Sequence, residues 1–312
     1  MNPNHEIHDE VTPGMNVSDE LIMNSKMIEH FSYGPREKLE IFELVDEGIV
    51  KTISKCWLSM KTLKDEAKYN QTYVQNIDKL SIPFVCWRRV RGDGNCYYRA
   101  VITNYILRIF HYYQHKNRIY QLIVILNGLS GNVPSDFVEA RDWMAGYLSQ
   151  IYNSRDNIQI RKDAFLNVNQ WLQDEEFDLR LVKVARFISY YTFMNNFGEY
   201  ADFMLEDEKG AFVEKLLMMG KEAEGMELLL LPLGLGIYVE QINIFSNLLY
   251  SYYPSEPTDA DKIKISIICK MQGHYDMLLT VQEMEDEEYN IGEGIYYYDP
   301  VHEPVEVLLV HN

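Results

Sequence analysis

Arg91-Gly92-Asp93-Gly94-Asn95-Cys96-Tyr97-Tyr98-Arg99-Ala100 decides how the rest of this chain is read. Gly92 and Gly94 permit positive φ, and Asp93 and Asn95 are side chains that tolerate tight turns. From Ala100 to Phe110 the chain is apolar on most faces and free of Gly and Pro, the pattern of a largely buried helix. The reading is a turn feeding a helix, with Cys96 at its exposed N-terminal end. There the helix dipole favours a thiolate. The unpaired N–H groups of the turn, those of Gly94 and Asn95 among them, could hold an oxyanion. The plainer alternative is a small buried Cys on a structural turn.

A second stretch, Gly273-His274-Tyr275-Asp276-Met277-Leu278-Leu279, follows the β-branched run Ile263 to Cys269 and a Gln272-Gly273 turn. This reads as strand, turn, strand. Residues two apart on a strand share a face, so His274 and Asp276 project together and Tyr275 projects the other way. A carboxylate beside an imidazole fixes its tautomer and stabilises the imidazolium. Cys96, His274 and Asp276 are then the parts of a thiol protease. Standing alone, the pair would be a surface His beside a solvated Asp. His302 competes for the role of base but lacks both the Gly turn and the acid two residues on.

With both stretches in view, the sequence resembles the OTU (ovarian tumour) cysteine proteases, and within them the otubains, which are deubiquitinases. Asp93 to Ala100 is similar to the family's D-G-N-C-F-Y-R-A box, and Gly273 to Leu278 to its G-H-Y-D-x-L box, in the same order. The likeness spans roughly Lys61 to Leu279. It implies an α+β, papain-like OTU fold, with a helical subdomain packed on a small, mostly antiparallel sheet. It implies Cys96 as nucleophile, His274 as base, Asp276 as its orienting acid and Asp93 in a shaping role. No metal and no organic cofactor is implied. The implied partner is ubiquitin or a polyubiquitin chain, cleaved at its C-terminal glycine. The alternative is a catalytically weak otubain that acts by binding ubiquitin or a ubiquitin-conjugating enzyme. Two positions depart from the pattern: Tyr97 stands where Phe is usual, and Met271-Gln272 where an Arg-Pro pair is common.

A formal charge of −18 over 312 residues argues against a surface for nucleic-acid phosphates. It suits a partner with a basic face, which under the resemblance is the arginine-bearing tail of ubiquitin. Cys56, Cys86, Cys96 and Cys269 form no CxxC pair, so neither a zinc site nor a disulfide framework is expected. Reduced thiols suit a cytoplasmic or nuclear protein. The N-terminus does not read as a secretory signal. The longest apolar run, Met226 to Leu235, is broken by Pro232 and Gly234 and is too short to span a membrane.

Taken in order, residues 1–34 read as a flexible arm, 35–280 as the catalytic domain and 281–312 as an acidic extension. A helix is expected over Pro35 to Val45, then mostly helix over 47–82 with Tyr73, Ile77 and Leu80 buried. Ile82 to Val90 reads as extended, with Arg88, Arg89 and Arg91 as a solvated basic edge. His111 and His115 read as a surface patch. Ser135 is expected to cap a helix whose apolar face is Phe137, Ala140, Met144, Leu148 and Ile151. Leu181, Ala185, Ile188 and Tyr191 mark a helix near 177–196, stopped by Gly198. Another helix is expected around Ala211 to Met219. Leu231 to Ile242 is expected to pass into a strand, and Tyr250 to Asp261 to be a connection. Gly292 to Tyr298 and Val305 to Val310 could pair as late strands.

Overall fold

The computed structural model describes residues 51–55, 57–66, 69–112, 115–200, 208–255, 262–270, 273–285 and 297–298, all within the unit Tyr33–Asn312. The expected N-terminal arm, the Pro35 to Val45 helix, Cys56, Met271-Gln272 and Val305 to Val310 lie outside the described residues.

Seven strands among these residues form one sheet: β1 (Trp57–Ser59), β2 (Phe84–Arg88), β3 (Tyr238–Asn243), β4 (Leu249–Tyr253), β5 (Lys264–Cys269), β6 (Tyr275–Thr280) and β7 (Tyr297–Tyr298). Their order is β4-β3-β5-β6-β2-β1-β7. β3 with β5 and β1 with β7 run parallel, and the other neighbours are antiparallel. β5 and β6 carry nearly continuous buried runs rather than alternation, because both faces of the sheet centre are covered. One face holds α1 (Met60–Asp65) and α2 (Gln71–Leu80) over a core of Leu63, Tyr73, Ile77, Trp87, Ile268 and Leu278. The opposite face holds α3 (Cys96–His111), which packs on β5 and β6. Each large apolar side chain so buried contributes roughly 1.5–3 kcal/mol.

Beyond α3 lie α4 (Lys116–Gly128), α5 (Ser135–Tyr152), α6 (Ile158–Trp171) and α7 (Glu175–Asn195). Then come α8 (Phe197–Tyr200), α9 (Glu208–Leu217) and α10 (Glu227–Leu235), with α11 (Val281–Glu285) after the last long strand. α3 is therefore enclosed, with α6 and α7 on the side away from the sheet. Fifteen of its residues are buried, as the all-round apolar sequence predicts. The mixed helical and sheet architecture is the expected α+β class.

Several local expectations are corrected. The described part of residues 47–82 is mostly helical, as expected, through α1 and α2, but it also holds β1, which pairs with β2, and Ile53, which bridges to Val90. Ser135 makes no side-chain cap, and Pro134 occupies the capping position. α7 ends at Asn195, with Asn196 as its C-cap, while Gly198 lies inside α8. Leu231 to Leu235 is helical, and the strand starts only after Gly236, whose φ of 65° ends α10. Gly234 lets α10 approach α7: a Cβ there would lie 2.4 Å from Thr192 Oγ1. β4 takes the first four residues, Tyr250 to Tyr253, of the segment expected to be a bare connection. Among the described residues no helix is long and apolar enough to cross a membrane.

Candidate active site

The turn before α3 is built by Asp93. Its Oδ1 accepts the Asn95 N–H at 3.0 Å, closing an Asx turn, and Gly94 takes φ 76°. Both carboxylate oxygens also accept from Arg99, one turn into α3, each at 2.9 Å. Arg99 reaches onward to both oxygens of Asp178 on α7, at 2.7 Å from Nε to Oδ1 and 2.8 Å from Nη2 to Oδ2. Burial would raise the Asp93 carboxyl, but the bonds and charge of Arg99 outweigh it and hold the group below its ordinary value. Asp93 thus shapes the turn.

Asn95 works mainly through its side chain. Oδ1 accepts from Gly220 N (2.9 Å) and from Arg186 Nη2 (2.9 Å) and Nε (3.2 Å). Arg186 also donates to the carbonyls of Gly94 and Leu216 and lies 4.2 Å over the Tyr98 ring. The Gly220 loop presses so close that a Cβ on Gly94 would sit 2.1 Å from the Gly220 oxygen. Because the Asn95 N–H is already donated to Asp93, it is not the open oxyanion donor that the sequence reading expected. The Cys96 N–H, first in the helix, has no intrahelical acceptor and fills that position better.

Cys96, His274 and Asp276 meet. His274 Nε2 is hydrogen-bonded to Asp276 Oδ1 at 3.0 Å, which leaves Nδ1 as the ring nitrogen for the Cys96 side. Cys96 Sγ lies 3.9 Å from the Gly273 carbonyl oxygen. Gly273 (φ 71°) turns the chain into β6, and Gly92 leaves room for the imidazole, since a Cβ there would lie 3.3 Å from Nδ1. Burial alone would lower the imidazole, but the bond to Asp276 and the influence of Asp276 and Cys96 beside it raise it to about 10. Asp276 is fully buried. Burial would raise its carboxyl, and Lys270 and His274 together hold it below its ordinary value. The thiol is 4% exposed rather than open at the helix end, because the Gly273 turn covers it. Tyr275 points away and packs edge-on to Tyr97, with ring centres 5.4 Å apart.

The basic edge does not converge on the thiol. Arg88 is buried and donates to Ser54 O, Arg89 pairs with Glu66, and Arg91 with Glu175. His111, expected at the surface, is buried against Phe165; burial, then Arg108 and Arg161, push its imidazole well below the ordinary value. The extra hydroxyl of Tyr97 finds a partner in Leu228 O at 2.5 Å. Sequence reading missed Arg186, Asp178 and the Gly220 loop. A usable signal was present: Asp178, Val182, Ala185, Arg186 and Ser189 share one helical stripe, and two charges on an otherwise buried face demand partners.

A family model described as Peptidase C65 Otubain matches residues 49–280. The chain belongs to the otubain family. Among solved structures, this otubain is similar to a ceOTUB1 complex with ubiquitin aldehyde and UBC13~Ub, at 19% identity and a TM-score of 0.58, covering 73% of this chain and 92% of that one. It is also similar to an h/ceOTUB1 complex with ubiquitin aldehyde and UBCH5B~Ub, at 19% identity and a TM-score of 0.59, covering 85% and 98%. At that identity the likeness is one of fold. A search of curated protein sequences returned no significant match.

Proposed function

We propose that this otubain is a thiol-dependent deubiquitinase, hydrolysing isopeptide or peptide bonds at the C-terminal glycine of ubiquitin. The observation that carries the reading is the meeting of Cys96 with the hydrogen-bonded pair His274–Asp276, from segments distant in sequence. Cys96 Sγ attacks the glycine carbonyl while His274 holds the proton lost by the thiol. His274 then gives that proton to the leaving lysine amine, and water, with His274 as base, releases the acyl group. Asp276 stabilises the imidazolium. The Cys96 N–H faces the developing oxyanion, where one donor typically contributes ~3 kcal/mol. The exposed Glu222 carboxylate borders the Gly273 turn and suits the basic tail of ubiquitin. The neighbours solved with ubiquitin-conjugating enzymes make such an enzyme a second partner to test.

The test is covalent labelling by ubiquitin carrying an electrophilic C-terminus. The native chain is expected to shift by one ubiquitin and Cys96→Ser not at all. A native chain that binds the probe without reacting would overturn the catalytic reading in favour of sequestration.

A further inference from the structure

The carboxylate that orients His274 is shared. Asp276 Oδ1 accepts from Val90 N–H at 2.7 Å and faces His274, whereas Oδ2 lies 2.6 Å from Lys270 Nζ. Lys270 closes the same turn from the other side: its backbone N–H donates to the His274 carbonyl at 2.8 Å. Its side chain is 11% exposed, and its ammonium lies 4.2 Å from the Trp87 ring centre and 2.5 Å from Glu66 Oε2. The other charged or titratable groups around this cluster are Arg89, which pairs with Glu66, Tyr73 on α2, and Cys96 on α3. Burial, then Glu66 and Asp276, hold the Tyr73 phenol above its ordinary range.

We propose that Lys270 is a positioning residue of the hydrolytic site, tethering the second oxygen of Asp276 so that the first stays aimed at His274, and sharing that carboxylate's charge with the imidazolium. The inference rests on the hydrolase reading above. A carboxylate held on one oxygen could swing about its terminal torsion, which is soft, and leave the imidazole. Val90 N–H and Lys270 together remove that freedom. The second effect is electrostatic. A buried carboxylate answering the imidazolium alone would bind its proton too firmly, and that proton must pass to the leaving amine. A lysine ammonium on the same carboxylate opposes the imidazolium and keeps it a usable acid. Consistent with this, the Lys270 charge and His274 together overcome burial and keep Asp276 ionised. Lys270 adjoins Met271-Gln272, where this chain departs from the family pattern, so the turn carrying the device has its own sequence here.

The experiment compares the full chain with Lys270→Met, which keeps an apolar stem against Trp87, and Lys270→Arg, which keeps the charge. Alkylation of Cys96 by iodoacetamide is followed by mass spectrometry across the neutral and alkaline range, alongside turnover of a ubiquitin C-terminal amide. Removing the ammonium is expected to move the alkaline inflection of alkylation up by about one pH unit, and to lower kcat by roughly tenfold at unchanged KM. The arginine variant is expected to restore both. An inflection that does not move, or an arginine variant as perturbed as the methionine one, overturns the proposal. Should the methionine variant fail to fold, Lys270→Gln supplies the uncharged arm. Alkylation needs no ubiquitin, so a shifted inflection without ubiquitin turnover would sink the deubiquitinase reading and leave the electrostatic role of Lys270 standing.

Discussion

Arg99→Met removes a guanidinium that is 1% exposed and joins two carboxylates on different elements. Asp178, on α7, is 1% exposed at its side chain and loses the partner that binds both its oxygens. Removing one member of a buried ion pair leaves an uncompensated charge and costs about 3–5 kcal/mol. Asp93 is 19% exposed and recovers some hydration, so its share is smaller. The total compares with a typical domain stability of about 5–15 kcal/mol, so the variant is expected to fold marginally. The pH dependence has a definite sign. In the native chain Arg99 depresses the Asp93 carboxyl, a contribution present above the unfolded value and lost as pH falls through the lower folded one. Burial already raises the Asp178 carboxyl in the native chain; in the variant burial and the Asp93 charge lose the opposition of Arg99 and raise it further, so the folded state takes up a proton as the medium is acidified. The deficit should therefore shrink between about pH 7 and about pH 5, a carboxylate range. Urea unfolding followed by circular dichroism at the two pH values measures this. Arg99→Met/Asp178→Leu, with an apolar pair in place of the ionic one, should recover most of the loss. A single variant that loses less than about 1 kcal/mol, the range of exposed pairs, would refute the reasoning, as would a double variant no more stable than the single.

Two further substitutions probe the turn and its support. Gly94→Ala places a Cβ 2.1 Å from the Gly220 oxygen on a backbone at φ 76°; strain of about 1–3 kcal/mol should push the loop away and slow probe labelling at least tenfold, and a native labelling rate would refute the close approach. Tyr97→Phe restores the residue usual in the family but strips the buried Leu228 carbonyl of its donor, at a cost of about 1–3 kcal/mol. Its Tm should fall by several degrees while labelling stays near native, and an unchanged Tm would show that the bond contributes nothing.

How far the sequence could be read depended on whether each residue's partner was local. The Gly92 to Cys96 turn and the α3 core helix were legible because backbone conformation and apolar periodicity are written into adjacent residues. So was the pairing of His274 with Asp276, which needs only the two-residue repeat of a strand. α4, α6 and β4 were not anticipated, since their boundaries are set by packing against elements far away in the chain. The supports of the turn were opaque for the same reason: Asn95 is held by Arg186 and Gly220, and neither is near it in sequence. Pro232 and Tyr97 make the point most fully. Read locally, Pro232 breaks an apolar run and Tyr97 carries an unwanted hydroxyl. Pro232 instead sits inside α10, where it lacks the N–H that would bond the Leu228 carbonyl four residues back. That carbonyl is the one that accepts the Tyr97 hydroxyl. An orphan acceptor and an orphan donor, each a defect alone, satisfy one another across the fold. This ties the residue beside Cys96 to a helix break in the support layer, and it predicts that the cost of Tyr97→Phe disappears in a chain where position 232 again carries an N–H.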